Sequence, residues 1–142
     1  TEIYTLSLHD ALPISALYVQ SEIAGHTAHY GWEGTLLIDP ILRLHQVTGK
    51  KEYLEWSRWV VASIDRWSGW NSFSKLDQVA DGTLGVHQLQ PYVHSHTFQM
   101  NFLGFLRLYQ ITGDASLLRK VRGAWDDIAR QYEELALRLA RK

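Results

Sequence analysis

Apolar residues recur at three- and four-residue spacing in four stretches of the chain. Leu37, Ile38, Ile41, Leu42 and Leu44 make one broad stripe. Tyr53, Leu54, Trp56, Val60, Val61, Ile64 and Trp67 make a second. Phe98, Phe102, Leu103, Phe105, Leu106 and Tyr109 make a third, and Leu118, Val121, Ala124, Trp125, Ile128 and Tyr132 a fourth. A stripe with this period is the mark of an amphipathic helix. Helices are therefore predicted over residues 35–48, 51–67, 94–111 and 115–136, the last continuing through LALRLARK with basic residues in its final turn. No strand pattern of any weight appears, so the predicted fold class is all-α.

The punctuation between stripes agrees. Gly49 and Gly113 stand where a left-handed C-cap is needed, and Asp114 is a natural N-cap for the helix that follows. Ser68-Gly69 ends the second helix. Pro40 lies inside the first predicted helix, where it either kinks the helix or marks its first turn. Only a few residues separate the members of each pair, so residues 35–67 and 94–136 should form antiparallel helical hairpins. Residues 70–91 are the least regular, with one short helix at 73–79 and a turn at Asp81-Gly82. That is long for a connection, and long connections are often functional. Residues 16–23 read as the tail of an earlier helix, and 24–34 as a loop.

The two hairpins repeat one another. Residues 42–49 are LRLHQVTG and residues 106–113 are LRLYQITG, identical at six of eight positions. The offset is constant at 64, as 112 − 48 for the threonines and 113 − 49 for the glycines. Leu54 and Leu118, and Ile64 and Ile128, continue it. A helical repeat of this length implies stacked hairpins. Two hairpins can pair as a four-helix bundle; in a longer chain they would be consecutive hairpins of an α/α toroid.

Composition narrows the function. The chain has 142 residues, 46% hydrophobic and 20% charged, enough for one domain with a real core. Its net charge is −1 and its basic residues are scattered, which argues against a nucleic-acid partner. No apolar run approaches the roughly 18 residues of a membrane helix. There are no cysteines, hence no disulfide, thiolate metal site or cysteine nucleophile in these residues. Six tryptophans and seven tyrosines point to aromatic packing, to a sugar-like ligand, or to both. Nothing in the pattern indicates an oligomeric state.

Residues 1–14, TEIYTLSLHDALPI, resemble a short-read sequencing adapter translated in one frame. They are expected to be an assembly artefact and are set aside from fold reasoning. The reading frame would then begin inside a gene, residues 15–142 would be part of a larger domain, and the compartment is unspecified.

Several residues are candidates for chemistry. The histidines outside the adapter-like string are His26, His29, His45, His87, His94 and His96. His94-Ser95-His96 suggests a metal pair, but positions i and i+2 do not share a helix face, and no further ligand is fixed nearby. A polar ligand contact near a helix N-terminus suits them better. Among carboxylates, Glu33, Asp39, Asp77 and Asp81 are candidates, but no spacing brings any two together across a sugar. Each has a simpler role as a helix-dipole partner, a solvated residue or a turn residue. Trp56 and Trp59 are expected to pack the hairpin. Tyr30, Trp32, Trp70 and Tyr92 lie in predicted loops beside helix ends and are better placed to line a pocket.

The run VHSHTFQMNFLGFLRLYQITGDASLLRKVRGAWDDI resembles the catalytic domain of glycoside hydrolase family 127, of the β-L-arabinofuranosidase type. The shared features are His94 opening a helix, Gly104 three turns on, the Thr112-Gly113-Asp114 turn, Leu117-Leu118, and Trp125-Asp126. GTLLIDPILRLHQVTGKKEYLEWSRWVVASID resembles an upstream hairpin of the same barrel, so the likeness spans residues 34–128. The resemblance implies an (α/α)6 barrel followed by β domains, and retaining cleavage of terminal arabinofuranose. It implies a cysteine nucleophile at a zinc ion and a glutamate acid/base, both outside these residues. Only His94, with His96 as its neighbour, carries over as a sugar contact. After Ile128 the family continues into a Thr-Gly-Gly loop, and ARQYEELALRLARK departs from it.

The expectation is therefore part of a glycosidase acting on terminal arabinofuranosyl or related residues, inactive alone. Its carbohydrate contacts would be His94, His96, Trp32 and Tyr30. No cofactor is expected within these residues, and zinc only in the full-length parent. The alternatives are another α/α-toroid sugar enzyme, an epimerase or lyase, or a non-catalytic helical-repeat binding module.

Overall fold

A computed structural model describes residues 35–66, 72–89 and 95–141. Among the described residues the fold is all-α, with no strand. Helix α1 spans Ile38–Thr48 and α2 spans Lys51–Arg66. A 3-10 turn at Ser72–Lys75 runs into the short α3, Leu76–Ala80, and a second 3-10 turn covers Val86–Gln88. Helix α4 spans Ser95–Thr112 and α5 spans Ala115–Ala140.

The boundaries follow from local chemistry. Helix α1 starts at Ile38, so Pro40 sits in its first turn, where its missing N–H leaves no bond unmade. The Ile41 amide makes a bond to the Leu37 carbonyl at 3.1 Å immediately after it. The Asp114 carboxylate caps α5, accepting from the Ser116 amide at 3.0 Å and the Ser116 hydroxyl at 2.6 Å. Those two bonds, the hydroxyl's first, hold its carboxyl below the usual value despite slight burial.

The repeat is reproduced bond by bond. Gly49 (φ 69°) and Gly113 (φ 74°) both take the left-handed conformation that closes α1 and α4. The Gly49 amide donates to the His45 carbonyl at 2.8 Å, and the Gly113 amide to that of Tyr109 at 2.7 Å. The Thr48 hydroxyl donates to the Leu44 carbonyl at 2.6 Å, and Thr112 to Leu108 at 2.7 Å. The next amides, Lys50 and Asp114, each donate to the preceding threonine hydroxyl at 3.3 Å. Every partner in the second set stands 64 residues after its counterpart in the first.

Helix α1 packs against both α2 and α4, and α4 against both α1 and α5. The repeat-related helices thus lie side by side, each with its hairpin partner. At their crossing Gly104 has no side chain to spare: a Cβ there would lie 2.8 Å from the Ile38 Cβ and 3.2 Å from the Asp39 amide nitrogen. The buried Thr35 hydroxyl donates to the Asn101 side-chain oxygen beside it, and Asn101 donates in turn to the Thr97 carbonyl at 2.8 Å. The core runs through this contact from Trp56 and Val60 to Phe105 and Leu117.

The connecting segment is more than a surface link. Phe73, Leu76, Val79 and Leu89 are all buried in the same core. The Phe73 ring stacks on Phe98 at 5.4 Å and 7°, and meets Phe105 edge-on at 5.8 Å and 89°. Short 3-10 turns carry too few residues for periodicity to reveal such burial. Two tryptophans expected to pack, Trp59 in the first hairpin and Trp125 in the fourth stripe, are instead partly open to solvent. Trp56 is buried as expected, but Trp59 is 36% exposed and Trp125 is 55% exposed.

Candidate functional site

The turn Val86–Gln88, α4 and α5 meet at the N-terminal end of α4 and leave a cleft of about 370 Å³. Its polar lining is His87, Ser95, Gln99, Gln131 and Tyr132, set against apolar Phe98, Ile128 and Leu135. The helical spacing of Ser95 and Gln99 on α4, and of Ile128, Gln131, Tyr132 and Leu135 on α5, turns one side of each helix to the same space. Phe98 is held from behind by Phe73 and by Phe102, whose ring centroid lies 4.9 Å away.

The third side is the turn Val86–Gln88, and Asp127 fastens it. This carboxylate is buried on α5 and accepts from the Val86 amide at 2.7 Å. It also accepts from the Gln131 side-chain amide and from Arg130. A buried carboxylate is tolerated when its lone pairs are satisfied in this way. Asp127 therefore fixes two wall residues at once, Val86 and Gln131. Gly85 completes the turn. Its amide donates to the Gln88 side-chain oxygen at 2.8 Å, and a Cβ on it would stand 2.6 Å from the His87 ring.

Two side-chain amides, an imidazole and a phenol can donate and accept hydrogen bonds here, and since Phe98 is buried against Phe73, the apolar surface open to a ligand is that of Tyr132 and Leu135. Among the described residues no carboxylate lines the cleft. The arrangement suits binding of a neutral polyhydroxylated ligand.

Of the residues expected at a site, His94, Trp32 and Tyr30 lie outside the described residues, as do His26, His29, Glu33, Trp70 and Tyr92. His96 lies on the first turn of α4, exposed, its Nε2 3.1 Å from the Thr97 hydroxyl, and does not line the cleft. The described candidate carboxylates are all engaged in ion pairs. Asp39 binds Arg43 and Arg107. Asp77 binds Arg119 at 2.9 Å and Lys120 at 3.3 Å, and Asp81 binds Arg119. Among the described residues no group of three or more His, Cys, Asp or Glu could hold a metal ion. No described helix is long and apolar enough to cross a membrane.

The residues that sequence reasoning passed over are Gln99, Gln131 and Asp127, with Tyr132 assigned to a buried stripe. Tyr132 is 67% exposed. The one available signal was the Trp125-Asp126-Asp127 run. Asp126, the motif residue, is exposed and pairs with Arg122 at 3.7 Å, whereas its neighbour Asp127 organises the wall. No protein-family profile matches the chain, and no curated protein or solved structure is significantly similar to it.

Proposed function

We propose that this chain forms part of the carbohydrate-binding wall of an α/α-toroid glycoside hydrolase acting on terminal arabinofuranosyl or related residues. The observation that carries the proposal is the cleft at the start of α4, with Gln99, Gln131 and His87 beside the exposed Tyr132 and Leu135. Furanose rings present hydroxyls on their edges and C–H groups on their faces. Amides and imidazole satisfy the former, and the exposed Tyr132 ring with Leu135 covers the latter. The side-by-side, repeat-related α1 and α4 also suit consecutive hairpins of a ring.

The resemblance to family 127 adds His94, the residue immediately before Ser95, with His96, Trp32 and Tyr30 as further sugar contacts. The nucleophile, the acid/base and any zinc would be supplied by other parts of the parent protein. These residues alone therefore bind without turnover.

A titration of the chain with methyl arabinofuranoside, followed by NMR, tests this. The side-chain amide signals of Gln99 and Gln131 are expected to shift, and a Gln99→Ala/Gln131→Ala double variant to lose the response. A chromogenic arabinofuranoside is expected to stay intact. Unshifted amides would refute the sugar-wall assignment, and release of the chromophore would refute the assignment of the nucleophile elsewhere.

A further inference from the structure

The cleft at the start of α4 opens sideways. His87, Gln131 and Leu135 also line a second groove of about 220 Å³, whose other residues are Arg130, Glu134 and Arg138 on α5. A ligand seated in the cleft can therefore extend into the groove across three shared residues. The two spaces differ in chemistry. Among the described residues no carboxylate or arginine lines the cleft, whereas the groove carries three charged side chains.

Those three are not equivalent. Arg130 binds the buried Asp127 and also Glu134, the latter at 3.3 Å. Glu134 is thus turned back to Arg130 and not forward to Arg138, although the forward pairing is the better oriented of the two on a helix. Among the described residues Arg138 has no ion-pair partner. It is exposed on the groove wall, and its place in the last turn of α5 also suits the helix dipole. Gln131 and Arg138 lie on one side of α5, about 10 Å apart along its axis. That is the reach of a second sugar ring, not of a substituent on the first.

We propose that the sugar bound in the cleft is linked to a uronic acid, whose carboxylate lies in the groove and is received by the Arg138 guanidinium. This rests on the carbohydrate reading of the cleft and names its ligand more closely. A planar carboxylate matches the guanidinium fork. Glu134 decides between anions. Arg130 already faces two carboxylates. A phosphate dianion would set its second charge against Glu134, and among the described residues no further arginine or lysine lines the groove to meet it. The fitting ligand is a monoanion.

The test compares two synthetic methyl disaccharides, arabinofuranosyl-glucuronic acid and arabinofuranosyl-glucose. Each is titrated into the full chain and followed by NMR at the Gln99 and Gln131 side-chain amides. The acid should bind about two- to fivefold more tightly at low salt, as an exposed ion pair allows. The preference should fade in about 1 M salt. Arg138→Gln should bring the two affinities together, Glu134→Gln should widen the gap, and Arg122→Gln, on α5 outside the groove, should leave it as it is. A purely structural role for Arg138 at the helix end would not move this ratio. Equal affinities in the natural chain, a preference that survives Arg138→Gln or is lost equally in Arg122→Gln, or tighter binding of the glucose 6-phosphate analogue would overturn the proposal and leave the sugar reading intact. Amides that shift with neither disaccharide would overturn both.

Discussion

The Asp39 carboxylate on α1 receives the Arg107 guanidinium of α4, and Arg107 is the repeat counterpart of Arg43, which binds the same carboxylate at 2.9 Å from within α1. One acid thus serves both copies of one arginine and ties the hairpins together. Arg107 also donates to Gln46 at 3.0 Å, extending the link toward the end of α1.

This pair makes stability depend on pH. Burial pushes the Asp39 carboxyl up, but the bonds from Arg107 and then Arg43 outweigh it, and the net shift is below the ordinary value of 3.8. A carboxyl held low in the folded state adds stability that is present above the unfolded value and is lost as pH falls through the folded value. Asp39→Asn should therefore cost about 1–3 kcal/mol at neutral pH. Urea midpoints of the two proteins should converge as the pH drops below the ordinary carboxyl value. A gap that stays constant down to acid would show that the arginines do not favour the ionised form.

The twin caps give a second prediction. A Cβ added at Gly49 or at Gly113 meets nothing within 4 Å, so the cost of alanine is purely that of the left-handed backbone. Each substitution should cost about 1–2 kcal/mol. Because the caps are remote from one another in the chain and share no partner, the double variant should show the sum to within about 0.5 kcal/mol. Unequal costs in urea unfolding would mean that the two copies of the repeat are not energetic equivalents.

Gly104 behaves differently, because its constraint is space. It sits in mid-helix, where alanine is ordinarily preferred. Here the added methyl would meet the Ile38 side chain and the Asp39 backbone. Gly104→Ala should destabilise by about 1–3 kcal/mol as α1 and α4 are forced apart. A stabilised variant, measured by the same unfolding assay, would show that the crossing is looser than described.

What the sequence disclosed and what it concealed divide along physical lines. The hairpins, both glycine caps and the Asp114 cap depend on residues within a turn of one another, so spacing alone places them. Phe73 could not be placed in that way, since its burial depends on Phe98 and Phe105, which are distant in the chain and contributed by α4. The exposure of Trp125 and Tyr132 was hidden for a related reason. Periodicity says which face of α5 is apolar, but not whether a neighbour covers it. The cleft was hardest to foresee, because Gln99 and Gln131 carry no motif and are brought together only when α4 and α5 pair. Asp127 is likewise set apart from the other acids of α5 only by its bond to the distant Val86 amide.

That bond supports the last prediction. Asp127→Asn keeps the shape of the side chain, but its amide replaces one acceptor oxygen with a donor. The Val86 amide, the Gln131 amide and Arg130 then compete for the single acceptor that remains. The turn Val86–Gln88 should loosen while α4 and α5 stay packed. Hydrogen exchange should therefore quicken more at the Val86 amide than at the amides of α5. The loss of global stability should be about 1–3 kcal/mol. If the cleft binds sugar, the affinity of the variant for methyl arabinofuranoside should fall with the order of that turn, because His87 would no longer be held at the wall. Unaltered exchange at Val86 would mean that the buried core around Leu89, and not this carboxylate, fixes the turn.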